Sequence, residues 1–256
     1  MEMIMSEVQT KREPEFSIVD KTAHRLLRMN RSAPTFPWAA RAISLVLANA
    51  ELPEACQAYP CVFTKSEDGL WSLVAVTGVE VGRNLFLDDQ SRWTGRYLPI
   101  VLRTWPFRLV QQPDAEGSRL IAAHLPALTS GSGDALFDQE GNESPWLLQV
   151  MKELVVLDES AQIVHTHVKA LEDAGLLQSR NLQFMLPDGR QLDLGGFHVV
   201  DEQLLEALPN DKAGALHAQG VLAMAYLHLL SMRQFRQLLE RAAQASANVP
   251  HAPVAA

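Results

Sequence analysis

The strongest constraint on the fold is a long amphipathic stretch that begins at Ser144-Pro145 and ends at Gly175. A serine side chain caps the free amides of a first helical turn, and proline is tolerated there because its missing N–H is not needed. Apolar residues follow at steps of three and four, and glycine favours the end of a helix. The pattern therefore predicts a helix near residues 145–174 with one buried face. The apolar positions on that face are Leu147, Met151, Leu154, Ala161, Val168 and Leu171.

Strand signals dominate the first half of the chain. Residues 61–65 and 71–79 flank the turn sequence SEDG at 66–69, which predicts an antiparallel hairpin. Upstream, residues 39–58 are compatible with a helix that stops near Tyr59-Pro60. Further short apolar runs occur at 84–87, 107–110, 119–125 and 135–137.

A second hairpin is predicted where the turn sequence PDG at 187–189 separates the strand-like runs 181–186 and 190–200, because Asp-Gly favours a tight hairpin turn. Asp201 can cap a short helix that ends near Leu208. A final helix is predicted at about 211–243. Its centre is apolar around nearly the whole circumference, so either other elements enclose it or one face is left for a partner or a second copy of the chain, and we expect enclosure.

Together these elements predict an α+β fold. With 256 residues, of which 47% are apolar and 20% charged, the chain can form a sizeable core. We expect one globular domain at 16–243, of one or two lobes, with flexible tails at 1–15 and 244–256.

Charge and hydropathy exclude several classes of partner. The formal net charge of −8 opposes broad binding to nucleic acid, which relies on clustered lysine and arginine. Residues 1–16 lack the apolar stretch of a secretory signal. The most apolar later run, at 221–230, is well short of the roughly twenty residues that cross a bilayer. We therefore expect a cytoplasmic protein without membrane insertion.

Two cysteines, Cys56 and Cys61, are separated by four residues. This spacing matches neither a thioredoxin motif nor a zinc knuckle. In a cytoplasmic protein we expect them to be reduced, structural thiols.

A segment rich in arginine and aromatic residues, 82–110, is the main candidate for a binding site. Arginine binds carboxylates and phosphates through two parallel hydrogen bonds, and aromatic rings offer stacking surface, so a peptide C-terminus or an anionic cofactor could dock here. In the alternative interpretation, the aromatic residues fill the core and the arginines pair with acids such as Asp88 and Asp89. The candidate ligand-binding residues are Arg92, Arg96, Arg103, Trp93 and Trp105.

A weaker candidate is a metal site on the final helix, where His217, Met224, His228 and Met232 follow at steps of seven, four and four. Imidazole and thioether ligands suit a soft metal such as copper(I). Core methionines with hydrogen-bonded histidines explain the same pattern, and we predict no metal and no cofactor. The sequence also lacks a phosphate-binding loop, a dinucleotide-binding glycine pattern and a serine-hydrolase elbow, so no catalytic residue can be named.

Six segments in a fixed order make the chain resemble the bacterial SapC family over about residues 18–241. The resemblance implies a link to surface-layer proteins and their transport, with TonB-dependent receptors and flavin-dependent halogenase-like proteins encoded nearby. It supplies no catalytic residues. The segments are YPCVF (59–63), LFLDDQSRWTGRYLP (85–99), TWPFRL (104–109), ALFDQEGNESPWL (135–147), LPDGRQLDLGGFHVVDEQLLEALP (186–209) and GVLAMAYLHLLSMRQFRQLL (220–239).

The leading hypothesis is an accessory or recognition protein of a surface-layer, peptide-uptake or peptide-modification system. Its partner would be a protein or peptide, including halogenase-like or TonB-receptor-linked components. A homo-oligomer of this chain is a further alternative. The rival is a peptide-modifying enzyme, or a subunit of one, with a site assembled around Arg96 and Trp105. A metal-binding protein is the third alternative.

Overall fold

The computed structural model describes residues 16–112, 118–185 and 189–247, and its architecture is α+β, as the sequence predicts. Short 3-10 helices occupy Pro37–Arg41, Asn49–Glu51 and Leu125–Ala127. The strands are β1 (Ser17–Ile18), β2 (Arg28–Met29), β3 (Ser44–Val46), β4 (Cys61–Lys65), β5 (Trp71–Val76), β6 (Phe107–Gln111), β7 (Arg119–Ala123), β8 (Asp134–Ala135), β9 (Leu177–Met185) and β10 (Gln191–Val200). The α-helices are α1 (Leu52–Ala55), α2 (Ile100–Arg103), α3 (Pro145–Asp173), α4 (Glu202–Glu206), α5 (Asn210–Ala218), α6 (Val221–Ser231) and α7 (Gln234–Ala247).

The main sheet has five strands in the order β3-β5-β4-β10-β9, and every pairing in it is antiparallel. Both predicted hairpins are confirmed, β4–β5 from Cys61↔Ala75 to Lys65↔Trp71 and β9–β10 from Gln191↔Met185 to Val200↔Leu177. Of the second turn, residues 187 and 188 lie outside the described residues, and Gly189 has the positive φ (+83°) that such turns favour.

Two smaller sheets complete the strand-rich half. β6 and β7 pair with each other, and β1 adds to the edge of β7, which confirms strands in the apolar runs 107–110 and 119–125. The run 135–137 contributes only its first residue to the short pair β2–β8. The run 84–87 forms no strand; it is held by the Asn84 side chain, which donates to Ala39 and accepts from the Phe86 N–H.

Residues 39–58 do not form the helix with which their sequence is compatible. The middle of this stretch is β3, which pairs with β5 through Leu45↔Ala75, and only Leu52–Ala55 is α-helical. A short apolar run such as Leu45, Val46 and Leu47 fits a helix or a strand equally well in sequence, and here the free edge of β5 selects the strand.

The long helix is confirmed as α3. The Ser144 side chain accepts the Leu147 N–H at 3.4 Å, and Gly175 follows the helix with a φ of +73°. The first half of α3 packs with β6 and β7, and its second half packs on the five-stranded sheet, so α3 spans two apolar clusters. Ala161, predicted on the buried face, is exposed. The buried residues of α3 are Leu147, Val150, Leu154, Ser160, Val164, Val168 and Leu171.

The single final helix predicted at 211–243 is wrong, because the region forms α5, α6 and α7. Gly220 adopts a left-handed conformation (φ +77°) between α5 and α6, and the helix axis bends there by 94°. α7 continues to Ala247, past the predicted end at 243. The remaining residues of both predicted tails, 1–15 and 248–256, lie outside the described residues.

The complete burial predicted for the centre of this region is also wrong. α6 buries Val221, Met224 and His228, but Tyr226 is 58% exposed and Leu230 is 44% exposed. One side of the helix is therefore open to solvent.

Within the described ranges, no single helix is both long and apolar enough to cross a bilayer. Only Asn210–Ala218 and Val221–Ser246 taken together reach that length and hydropathy, and the bend of 94° separates them.

Candidate functional site

Residues 82–99 of the arginine-rich segment form a loop that packs against the apolar core of the main sheet. Asp88 closes a turn by accepting the N–H groups of Gln90 and Arg92, both at 2.9 Å. Trp93 then stacks on Phe86 with ring centroids 5.6 Å apart, and its indole N–H donates to the Tyr97 carbonyl at 2.7 Å. The packing of Trp93 on Phe86 thus holds the loop in place.

Gly95 allows this loop to lie close to the sheet. A Cβ at this position would overlap with the Tyr59 hydroxyl and with Trp93 Nε1. Both of those groups form hydrogen bonds with the Tyr97 carbonyl. A side chain at residue 95 would therefore displace the bonds that hold the loop.

A buried carboxylate lies beneath the same loop. Glu51 is 2% exposed and accepts three hydrogen bonds, from the N–H of Ala48 (2.8 Å), the N–H of Ile100 (2.7 Å) and the hydroxyl of Tyr97 (2.9 Å). Arg103 extends the network, because it donates to the Tyr97 hydroxyl at 3.3 Å and to Glu153 on α3 at 3.2 Å.

Burial dominates the electrostatics of this network. It raises the pKa of Glu51, although the hydrogen bonds from Ala48, Ile100 and Tyr97 favour the ionised form. Burial, followed by the nearby Glu51 charge, raises the pKa of Tyr97 to about 12. The Glu51 carboxylate is enclosed and accepts three hydrogen bonds, so its arrangement suits a structural link between the 3-10 helix at Asn49–Glu51 and α2 better than proton transfer to a substrate.

The two candidate tryptophans have packing partners within the chain. Both Trp93 and Trp105 pack against a small apolar cluster that contains Phe36 and Leu102. The Trp105 ring also lies 5.3 Å from the ring of Trp38. This packing agrees with the alternative interpretation of the segment, in which its aromatic residues fill the core.

The three candidate arginines differ in their availability. Arg92 pairs with Asp88 at 2.8 Å, and Arg103 is held by Glu153, Tyr97 and the Leu98 carbonyl. Arg96 is exposed, and no residue in the described ranges pairs with its guanidinium. A ligand role for the set stays a prediction, with Arg96 as the member whose guanidinium has no partner among the described residues.

The residues proposed as a metal stripe are not brought together. His217 lies on α5, across the bend from Met224 and His228 on α6. No group of three His, Cys, Asp or Glu side chains in the described part of the chain is arranged to hold a metal ion.

His228 has a structural role instead. It is fully buried and stacks on Phe63 with ring centroids 4.8 Å apart. The Val200 N–H donates to Nε2 at 3.0 Å, so Nδ1 carries the proton and donates to the Cys61 carbonyl at 2.7 Å. Burial lowers the pKa of His228 to about 4, and the neutral ring links α6 to β4 and β10.

Both cysteines are buried free thiols, as predicted. Burial raises the pKa of Cys56 and of Cys61, which opposes thiolate chemistry. The Cys61 N–H donates to the Ser231 hydroxyl at 3.0 Å and so anchors α6 a second time.

Two cavities near the main sheet are small. One lies between Arg83, Leu192 and Ser246, the other between Ile43, Val74 and Phe197, and each holds about 10 Å³. This volume admits about one water molecule, so neither cavity accommodates a peptide side chain or an organic cofactor.

Two exposed apolar surfaces lie outside the predicted site residues. One is the open side of α6, whose signal was its apolar circumference. The other is the solvent side of α3, where apolar residues lie outside the predicted buried stripe.

The family model of SapC matches residues 19–238. The chain belongs to the SapC family. The SapC match includes the arginine-rich loop, the Glu51 network, α3 and α6. No curated protein and no solved structure matches the chain.

Proposed function

We propose that this SapC-family protein is a non-enzymatic accessory protein that recognises a protein partner through the exposed side of α6. Its setting would be a surface-layer, peptide-uptake or peptide-modification system. Flavin-dependent halogenase-like and TonB-receptor-linked proteins are the proposed partners. The proposal places the protein in the cytoplasm, with no cofactor of its own and no nucleic-acid ligand.

The observation that carries this proposal is the exposure of Tyr226 and Leu230, which lie one turn apart on the same side of α6. Ala223, also exposed, lies one turn before Tyr226 on that side. Aromatic residues are enriched in protein interfaces, because a tyrosine ring buries a large area and its hydroxyl can still form a hydrogen bond.

The opposite side of α6 is rigidly held. His228 and Ser231 both bond to the backbone of β4, and His228 also bonds to β10. A helix fixed in this way presents its exposed side chains without a large ordering cost on binding. The surface is therefore suited to docking a preformed apolar patch of a partner.

Arg96 supports the alternative of a peptide-binding or peptide-modifying protein. An exposed guanidinium on a fixed loop can bind a peptide carboxylate through two hydrogen bonds. In that alternative, Arg96→Ala removes peptide binding, whereas changes on α6 do not.

The test is a binding titration of the purified protein against a purified halogenase-like protein encoded in the same genome. Tyr226→Asp and Leu230→Asp place a charge in the proposed contact and should each weaken binding about tenfold or more. Leu70→Asp is the matched control, since Leu70 is 56% exposed at the β4–β5 turn. Circular dichroism should show all three variants folded. Binding that both α6 variants retain would overturn the role of this surface.

A further inference from the structure

The solvent side of α3 carries four exposed apolar side chains. Leu148, Val155, Val156 and Ile163 are 44%, 43%, 38% and 43% exposed. Lys152 and Glu159, both exposed, lie between them on the same side of the helix. We call these six residues the α3 stripe.

The α3 stripe is self-complementary when a second copy runs in the opposite direction. Its midpoint falls between Val155 and Val156. Leu148 lies as far before this midpoint as Ile163 lies after it, and Lys152 and Glu159 are likewise equidistant from it. An antiparallel second copy thus sets leucine against isoleucine, valine against valine and lysine against glutamate. The pattern extends to Gln149 and Gln162, whose amides can bond to each other.

The two charges of the stripe lack partners within the described chain. The neighbouring acids are already paired, Glu153 with Arg103 at 3.2 Å and Asp158 with Arg119 at 3.0 Å. No described residue pairs with Lys152 or Glu159.

Other residues of α3 do not provide ion-pair partners for Lys152 and Glu159 either. Positions three and four residues away from Lys152 and from Glu159 hold only apolar residues or glutamine. A second copy would provide the opposite charge to each of them.

We propose that the α3 stripe is a homodimer interface in which two copies of α3 pack antiparallel about a two-fold axis at residues 155 and 156. Such an interface is isologous, and each contact occurs twice, including two Lys152–Glu159 pairs between copies. A parallel arrangement would instead set Lys152 against Lys152 and Glu159 against Glu159, which is repulsive. This interface uses residues different from those of the α6 surface and is independent of the proposed partner.

The expected affinity is modest. Leu148 and Ile163 are separated by about 22 Å along the helix at 1.5 Å per residue. One helix side of this length forms an interface at the small end of the specific range, so we expect a dissociation constant of about micromolar order.

The first test is sedimentation equilibrium of the full chain over about 1–200 μM, a range that brackets the expected affinity. Wild type should dimerise, and Lys152→Glu and Glu159→Lys should each weaken the dimer about tenfold, because two attractive pairs become repulsive. The double variant K152E/E159K should restore it. Lys212→Glu, an exposed lysine on α5, is the charge-matched control and should have no effect.

The second test fixes the orientation by disulfide formation. An equimolar mixture of Leu148→Cys and Ile163→Cys chains should form a disulfide-linked dimer, whereas each variant alone should not. Cys56 and Cys61 are both buried and so do not compete. A wild-type chain that stays monomeric throughout, a double charge variant that fails to restore the dimer, or linkage of Leu148→Cys to itself would each overturn the proposal.

Discussion

The hydroxyl of Tyr97 donates to the carboxylate of Glu51 at 2.9 Å, and this bond joins two segments that are 46 residues apart in the sequence. The same carboxylate oxygen accepts the N–H of Ile100 at 2.7 Å. One buried acid thus fixes both the end of the arginine-rich loop and the start of α2. Glu51 thereby anchors the C-terminal end of the loop that carries Arg96.

Glu51→Gln should destabilise the protein by about 2–4 kcal/mol, because a glutamine NH₂ group would face donors in a buried site. Tyr97→Phe should cost about 1.5–3 kcal/mol, because it removes the hydroxyl that donates to Glu51 and accepts a long hydrogen bond from Arg103. The free energy of unfolding in urea measures both effects. Tyr226→Phe, at an exposed tyrosine, should change it by no more than about 0.5 kcal/mol. Equal stability of Glu51→Gln and wild type would contradict the structural role of this acid.

His228 should make the native state less stable in acid. Its pKa falls from 6.5 to about 4 on folding, so the unfolded chain binds the proton more readily between those values. Above pH 6.5 the protonation of His228 does not reduce the free energy of unfolding. As the pH falls from 6.5 towards 4, the free energy of unfolding decreases by about 3 kcal/mol in total. Urea unfolding at a series of pH values measures this slope.

Two glutamine variants isolate the contribution of His228. His228→Gln should reduce the slope between pH 4 and 6.5, whereas His217→Gln, at an exposed histidine on α5, should keep it. A slope that survives His228→Gln unchanged would show that other groups cause the pH dependence.

Trp105→Ala should destabilise the protein by about 2–4 kcal/mol, because the half-buried ring packs against Trp38, Phe16 and His124. Arg96→Ala should leave the free energy of unfolding within about 0.5 kcal/mol of wild type, since the side chain is exposed and lacks a described partner. Thermal unfolding of the two variants compares these effects directly. A Trp105→Ala variant that is as stable as wild type and has lost ligand binding would identify the ring as a recognition surface.

Local signals predicted the elements that local interactions determine. The Ser144 cap and Gly175 delimit α3 within the sequence itself, and the SEDG and Asp-Gly turns identify both hairpins. The break at Gly220 was missed although glycine is a signal for a helix end there as at Gly175, and both residues adopt the left-handed conformation. The strand β3 was missed because its partner, β5, lies some thirty residues away.

The candidate site was harder to predict than the fold. The Glu51–Tyr97 bond and the anchoring of His228 by Cys61 and Val200 join distant segments, so no spacing in the sequence indicates them. The sequence did contain the signals for the exposed surfaces of α6 and α3, but which side of each helix remains open depends on how the neighbouring elements pack.

The exposed side of α6 as a partner-binding surface is the central claim, and site-specific photocross-linking in the native host tests it most directly. Benzoylphenylalanine in place of Tyr226 should give a covalent adduct with a second, different protein of the surface-layer or peptide-handling system. The same probe in place of Leu70 should give no such adduct. The absence of an adduct at residue 226, an identical adduct at residue 70, or an adduct with a second copy of this chain would contradict the claim.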